Sequence, residues 1–262
     1  MEKRLDVSRN FEYTPEQRQR IGFLSELLKQ DLSSPNVAGF HGTSIEAVRE
    51  VIKTGRLPGA GESRQLGNRK MLPGDISIYP NLTTLPGNLR AWYAPHADQE
   101  KMLREVGVYA AMIAQHHSMA KALGLPLSDR RLADYAVFED WTEQEERLLV
   151  SGPNSPEDDE LFEDFSEQAK AFGVAVPALL SAMKQATGRK GVILGIGKAA
   201  LEKFKIEQGD DFMFSGIIEK ESGFGDLVIK TGGGLDYKDF AGFRILGAKE
   251  TQDWANLSKN LL

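Results

Sequence analysis

Apolar positions recur with helical spacing through most of the first two thirds of the chain and gather into short strand-like runs in the last third. Thr14–Leu32 reads as a helix. Thr14-Pro15-Glu16-Gln17 supplies a cap, a first-turn proline and a glutamine at capping-box spacing, and Ile21, Leu24, Leu27 and Leu28 form one apolar face. Ser33-Ser34-Pro35-Asn36 ends it, and Val37–Phe40 suits a short buried strand. Thr43 or Ser44 can cap the next helix, whose inner stripe is Ile45, Val48, Val51 and Ile52 and whose stop is Gly55. Residues 59–75 are rich in glycine, arginine and polar side chains and read as a loop. Asp75–Tyr79 alternates as a strand does, 80–88 is loop-like, and Leu89–Tyr93 is a weaker strand.

Gln99–Leu123 is the longest helical pattern, with Leu103, Val106, Tyr109, Ala110, Ile113 and Met119 recurring. Residues 125–150 hold one or two further helices. Ser151–Asp164 joins turn residues to an acidic run and reads as a linker or insertion; Phe165–Thr187 reads as one helix. Strand-like runs follow at Gly191–Ile196, Met213–Glu219, Asp226–Lys230 and Gly242–Gly247, separated by turn signals. Helices early and strands late, with few regular alternations, predict an α+β fold rather than a doubly wound sheet. No repeat of 20–50 residues is visible.

Composition narrows the function classes. The 262 residues allow one large domain or two small ones, and 41% hydrophobic residues suffice for a sizeable core. A net charge of -6 argues against a general nucleic-acid binder. The absence of cysteine excludes disulfides, thiolate nucleophiles and cysteine-ligated zinc. No apolar run reaches membrane-spanning length, and the first twenty residues lack the apolar core of a signal peptide. The expected location is the cytoplasm, or outside the cell by a route that needs no signal peptide.

Three apparent motifs carry no chemistry. Gly191–Lys198 (GVILGIGK) has phosphate-loop glycines in the wrong register, and Ala199 stands where a hydroxyl would hold a metal ion, so it reads as a strand leading into a helix. Thr231–Leu235 (TGGGL) is a turn with no helix behind it. His116 and His117 are adjacent on a helix and diverge, so they cannot share a metal as an i, i+4 pair would.

The segment GFHGTSIEAVREVIKTGRLPG (Gly39–Gly59) is more specific: a histidine-glycine step leaves a buried strand and enters an amphipathic helix that a glycine stops. It resembles the opening of the ADP-ribosyltransferase superfamily, in the branch of the diphtheria-type toxins and poly-ADP-ribose polymerases. That branch carries His, Tyr and Glu on three separate strands or strand edges. The resemblance covers roughly Val37–Tyr109 and Gly191–Gly247. It implies a split β-sandwich core at 37–250 with a helical and acidic insertion at about 125–187, preceded by a helical extension (1–36) and followed by a tail (251–262). It further implies that the chain binds NAD as a substrate, needs no metal, and is a glycosyltransferase that moves ADP-ribose onto a protein.

In that resemblance His41 binds a ribose, Gly42 pairs with the carboxamide and Thr43 supports the turn. Glycine at the second position lets the backbone approach the ligand closely. The stacking tyrosine has three candidates: Tyr79, Tyr93 and Tyr109, with Tyr79 and Tyr109 favoured as a sandwich. The acid departs from the pattern. Asp226 occupies the matching position one methylene short of a glutamate, and Glu219 and Glu221 are the alternatives, spaced to share a strand face. Arg64, Arg69 and Lys70, in the Gly61–Lys70 loop, would suit the pyrophosphate. A bacterial effector or toxin acting on a host or competitor protein fits this picture. Two rival readings are an RNA 2'-phosphotransferase of the same fold, which the acidic charge opposes, and a catalytically inactive NAD-binding or interaction protein.

Overall fold

A computed structural model describes residues 13–59, 64–66, 69–71, 74–81, 99–127, 129, 141–208, 227–247 and 254. Helix α1 (Pro15–Leu27) begins on a full capping box, with Thr14 and Gln17 each accepting the other's backbone N–H. Strand β1 (Val37–Thr43) leads into α2 (Ile45–Thr54), followed by the short β2 (Arg56–Leu57). The glycine- and arginine-rich stretch read as a loop contains a hairpin of β3 (Arg64–Leu66) and β4 (Arg69–Met71), and β5 (Ile76–Pro80) follows. Arg64-Gln65-Leu66 and Arg69-Lys70-Met71 are too short to show strand periodicity in the sequence.

Helix α3 (Gln99–Leu123) has the bounds that its periodicity predicts. Next come α4 (Glu143–Ser151), α5 (Pro156–Phe172) and α6 (Val176–Ala186). Two readings are corrected here. Most of the stretch read as a linker, Ser151–Asp164, is the first half of α5. Ser155 caps that helix, Pro156 opens it, and Glu157, Asp158 and Asp159 place negative charge against its positive end. The single helix read over Phe165–Thr187 is two, because Gly173 takes the left-handed conformation at φ 70° and ends α5.

The last third is strand-rich, as its pattern predicts: β6 (Val192–Gly197), α7 (Lys198–Lys203), β7 (Lys205–Gln208), β8 (Leu227–Lys230), β9 (Leu235–Asp236) and β10 (Phe240–Ile245). Six strands form one sheet in the order β10-β6-β1-β5-β8-β7, with every neighbouring pair antiparallel. The fold is thus mixed helix and antiparallel sheet. The run Met213–Glu219 and the weak strand Leu89–Tyr93 lie outside the described residues.

Two cores share α3. The sheet core joins α1, α2 and the front of α3 to the strands through Phe40, Ile52, Ile78, Leu194 and Phe243. The N-terminal helix belongs to it, since Leu24 and Leu27 are buried there. The helical core gathers Met119, Phe165, Phe172, Leu179, Leu180 and Met183 from α3, α5 and α6. Among the described residues, no helix is long and apolar enough to cross a membrane.

Candidate functional site

β1 and β5 pair at only two positions, Gly39 with Pro80 and Phe40 with Tyr79. His41 is the next residue on β1, where that ladder has stopped. Its Nδ1 lies 2.8 Å from the Ser77 carbonyl oxygen. A carbonyl can only accept, so Nδ1 carries the ring proton and Nε2 remains an acceptor. Burial holds the His41 pKa below the usual imidazole range, and the bond to Ser77 opposes that shift only in part. His41 is therefore a neutral, half-buried ring of fixed tautomer.

Gly42 is required by packing. A Cβ there would lie 2.9 Å from the Val106 carbonyl oxygen, 3.0 Å from Tyr109 Cδ1 and 3.1 Å from the Ala110 nitrogen. Two of those neighbours are helix backbone and cannot yield, so the glycine sets how closely α3 approaches β1. It also brings the Tyr109 ring edge against the residue next to His41. Tyr109 is half-buried. Tyr79 sits opposite Phe40 and is 5% exposed, within the sheet core. Thr43 is buried beside the turn, and Ser44 is the cap of α2, its Oγ accepting the Ala47 N–H at 3.1 Å.

The hairpin register pairs Arg64 with Met71 and Leu66 with Arg69, so the positions of Arg64 and Arg69 share one face and that of Lys70 the other. β8 starts at Leu227, directly after Asp226 in sequence, and Leu227 pairs with Ile78, the neighbour of Tyr79. Tyr93, Glu219, Glu221 and Asp226 themselves lie outside the described residues.

One histidine set aside in the sequence reading stands at this site. His117 Nδ1 lies 2.6 Å from Ser44 Oγ, joining the far part of α3 to the α2 cap. Its pKa is lowered to about 4, chiefly by burial, with His116 and His41 adding repulsion. The signal was present in the sequence. Val106, Ala110, Ile113 and His117 follow at four-, three- and four-residue steps, so His117 occupies a position of the inward stripe. The adjacent pair reads as surface or half-buried side chains rather than a metal site, and His117 is half-buried, but the sequence does not show its partner Ser44. Among the described residues, no three His, Asp or Glu side chains are grouped to hold a metal ion.

The arrangement offers neutral hydrogen-bonding imidazoles, a glycine backbone at close quarters and a half-buried aromatic edge. Such a set suits a polar, partly aromatic ligand better than a bare anion. No protein family, curated protein or solved structure matches the chain.

Proposed function

We propose that the chain binds NAD at the end of β1 and transfers ADP-ribose to a protein. The observation that carries this reading is the adjacency of β1, β5 and β8. These neighbours carry His41, carry Tyr79 and follow Asp226 in sequence, three separate strands or strand edges as the resemblance implies, although the Phe40–Tyr79 pairing puts the Tyr79 position on the face opposite His41. A split β-sandwich of the ADP-ribosyltransferase type is part of the same proposal, supported by the two-pair ladder between β1 and β5.

In this reading the glycosidic bond between the ribose C1' and the nicotinamide nitrogen breaks, and nicotinamide leaves with the bonding electron pair. The target's nucleophile forms the new bond to C1' and releases its proton. His41 Nε2 accepts from a ribose hydroxyl. Gly42 lends its backbone to the carboxamide, and Tyr109 offers the more accessible ring for stacking. Asp226, or else Glu221 or Glu219, meets positive charge as it develops on the ribose. Arg64 and Arg69 hold the pyrophosphate.

Labelled NAD incubated with the protein and a lysate tests the reading. Label on protein supports it; label on RNA, or none, overturns it. His41→Ala abolishes turnover and shifts the Tm by only a few degrees. Asp226→Asn lowers kcat by orders of magnitude with little change in NAD affinity, because the acid acts in the transition state.

A further inference from the structure

We propose that the Ser44–His117 hydrogen bond is a proton-operated latch: with the imidazole neutral it ties the far part of α3 to the start of α2, and a proton on the ring opens it. Ser44 is fully buried, and its Oγ accepts the Ala47 N–H at 3.1 Å as the cap of α2. A buried hydroxyl must also place its own proton. Among the described residues, the one further group that Ser44 Oγ meets is His117 Nδ1, at 2.6 Å. The hydroxyl therefore donates to Nδ1, and the neutral ring carries its proton on Nε2.

This bond fits one protonation state. An imidazolium carries N–H on both nitrogens, so Nδ1 turns from acceptor to donor. Ser44 Oγ would then face two donors, His117 and Ala47, while its own proton had no acceptor. A polar group stranded in a buried site costs at least as much as a hydrogen bond gains. The conflict is relieved when the half-buried ring turns away from Ser44. Ser44, left without an acceptor, rotates, and the first turn of α2 loses its cap.

No facing carboxylate holds the charged ring in place. The elements packed on α3 include β1, β6, α2 and α6. β6 has no ionisable side chain, and β1 has only His41. α2 has Glu46 with Arg49, and Glu50 with Lys53, paired at 3.6 Å and 3.0 Å. Lys184 of α6 pairs with Glu146 of α4. On α3 itself His116 adjoins His117, and Lys121 is exposed one turn beyond. Burial most of all, then His116 and His41, disfavours the proton, so the latch stays closed until the pH nears about 4. The latch does not depend on the NAD reading.

Amide exchange of the whole chain, followed by NMR from neutral pH down to about pH 3.5 and corrected for the intrinsic rate, tests the latch. Wild-type protection at Ala47 is expected to fall roughly tenfold as His117 titrates, about the loss of one good hydrogen bond, while the β6 amides keep theirs. His117→Asn offers an acceptor near the Nδ1 position and does not titrate, so its Ala47 protection stays level. Carboxylates such as Glu46 meet the same acid in both proteins and cancel in the difference. Ala47 protection that ignores the titration of His117 overturns the latch. An equal loss throughout β6 overturns it too, because that is global unfolding, as does a fall of the same size in His117→Asn. Imidazole nitrogen spectra of the wild type at neutral pH need no variant. A His117 proton on Nε2 supports the latch, and one on Nδ1 overturns it outright.

Discussion

The two cores that share α3 solve different problems. The helical core is built on apolar side chains such as Met119, Phe165, Leu179 and Met183, and the exposed side of α5 is acidic, with Glu157, Asp159, Glu160, Glu163, Asp164 and Glu167 all open to solvent. Asp158, buried there, sits at the rim against Arg147, Gln144 and the Asn154 N–H. The sheet core carries polar groups into its boundary and pairs several of them: His41 on Ser77, His117 on Ser44, and Lys230 on Asp75 at 2.8 Å. Apolar packing supplies stability with little directional information; buried hydrogen bonds fix ring tautomers and the angle of a turn. His41, the residue placed first in the proposed chemistry, lies where the second kind of construction is found.

The largest expected effect tests whether the cores are one cooperative unit. Phe243 is 1% exposed and its ring meets Trp254 edge-on at 5.2 Å, so Phe243→Ala costs about 3–5 kcal/mol. Leu180 is fully buried in the other core, and Leu180→Ala costs about 2–5 kcal/mol. Trp254 reports on the sheet core and Trp141 packs against the helical one. Because α3 runs through both, urea unfolding followed by each tryptophan alone gives coincident transitions in both variants. An early Trp141 transition confined to Leu180→Ala breaks the coupling.

Acid sharpens the comparison next. An unfolded His117 titrates near 6.5, and the folded one near 4. Above pH 6.5 both states are neutral and the full stability is present. As pH falls from 6.5 to 4 the unfolded chain takes up the proton and the folded one does not, so stability drops by roughly 3 kcal/mol and then levels off. His41 has the same sign. The lowered carboxyls of Glu16, Asp31 and Glu146 lose stability further into acid, and they cancel in a difference between wild type and His117→Asn. Urea midpoints at pH 7 and 4.5 measure it: the variant shows a shallower fall, and an equal fall refutes the assignment.

Elements with a strong local signal were legible in the sequence, and the site was legible in part. Thr14 to Gln17, the α3 stripe and the strand run at 192–197 each carry their own period or cap, so local chemistry decides them. The start of α5 was hidden because Ser-Pro followed by acids is both a turn composition and a helix start, and only packing of Phe165 and Ala169 selects the second. His41 and Gly42 stood out because they are contiguous in sequence. The link from His117 to Ser44 spans 73 residues, and no local pattern reports which distant cap a histidine meets.

Two glycines supply the smaller tests. Gly42→Ala places a methyl 2.9 Å from the Val106 carbonyl oxygen, so α3 must retreat from β1, at about 1–3 kcal/mol. The Tyr109 edge retreats with it, so ADP-ribose binding falls together with stability. A variant that loses neither contradicts the close approach of helix and strand.

Gly22 is the opposite case. It lies inside α1, it is exposed, and a Cβ there would meet nothing within 4 Å. No close approach requires a glycine at this position, and its backbone freedom in the unfolded chain weakens the helix. Gly22→Ala therefore raises stability by about 0.5–1 kcal/mol, seen as a higher urea midpoint with an unchanged slope. α1 is tied to the sheet core: the Arg20 guanidinium bonds the Ile52 and Lys53 carbonyls at 2.7 Å, and Ser25 Oγ accepts from the Trp254 indole at 2.6 Å. The gain must therefore appear in the global transition reported by Trp254. If α1 were a detachable extension, the same substitution would raise helicity without moving that midpoint.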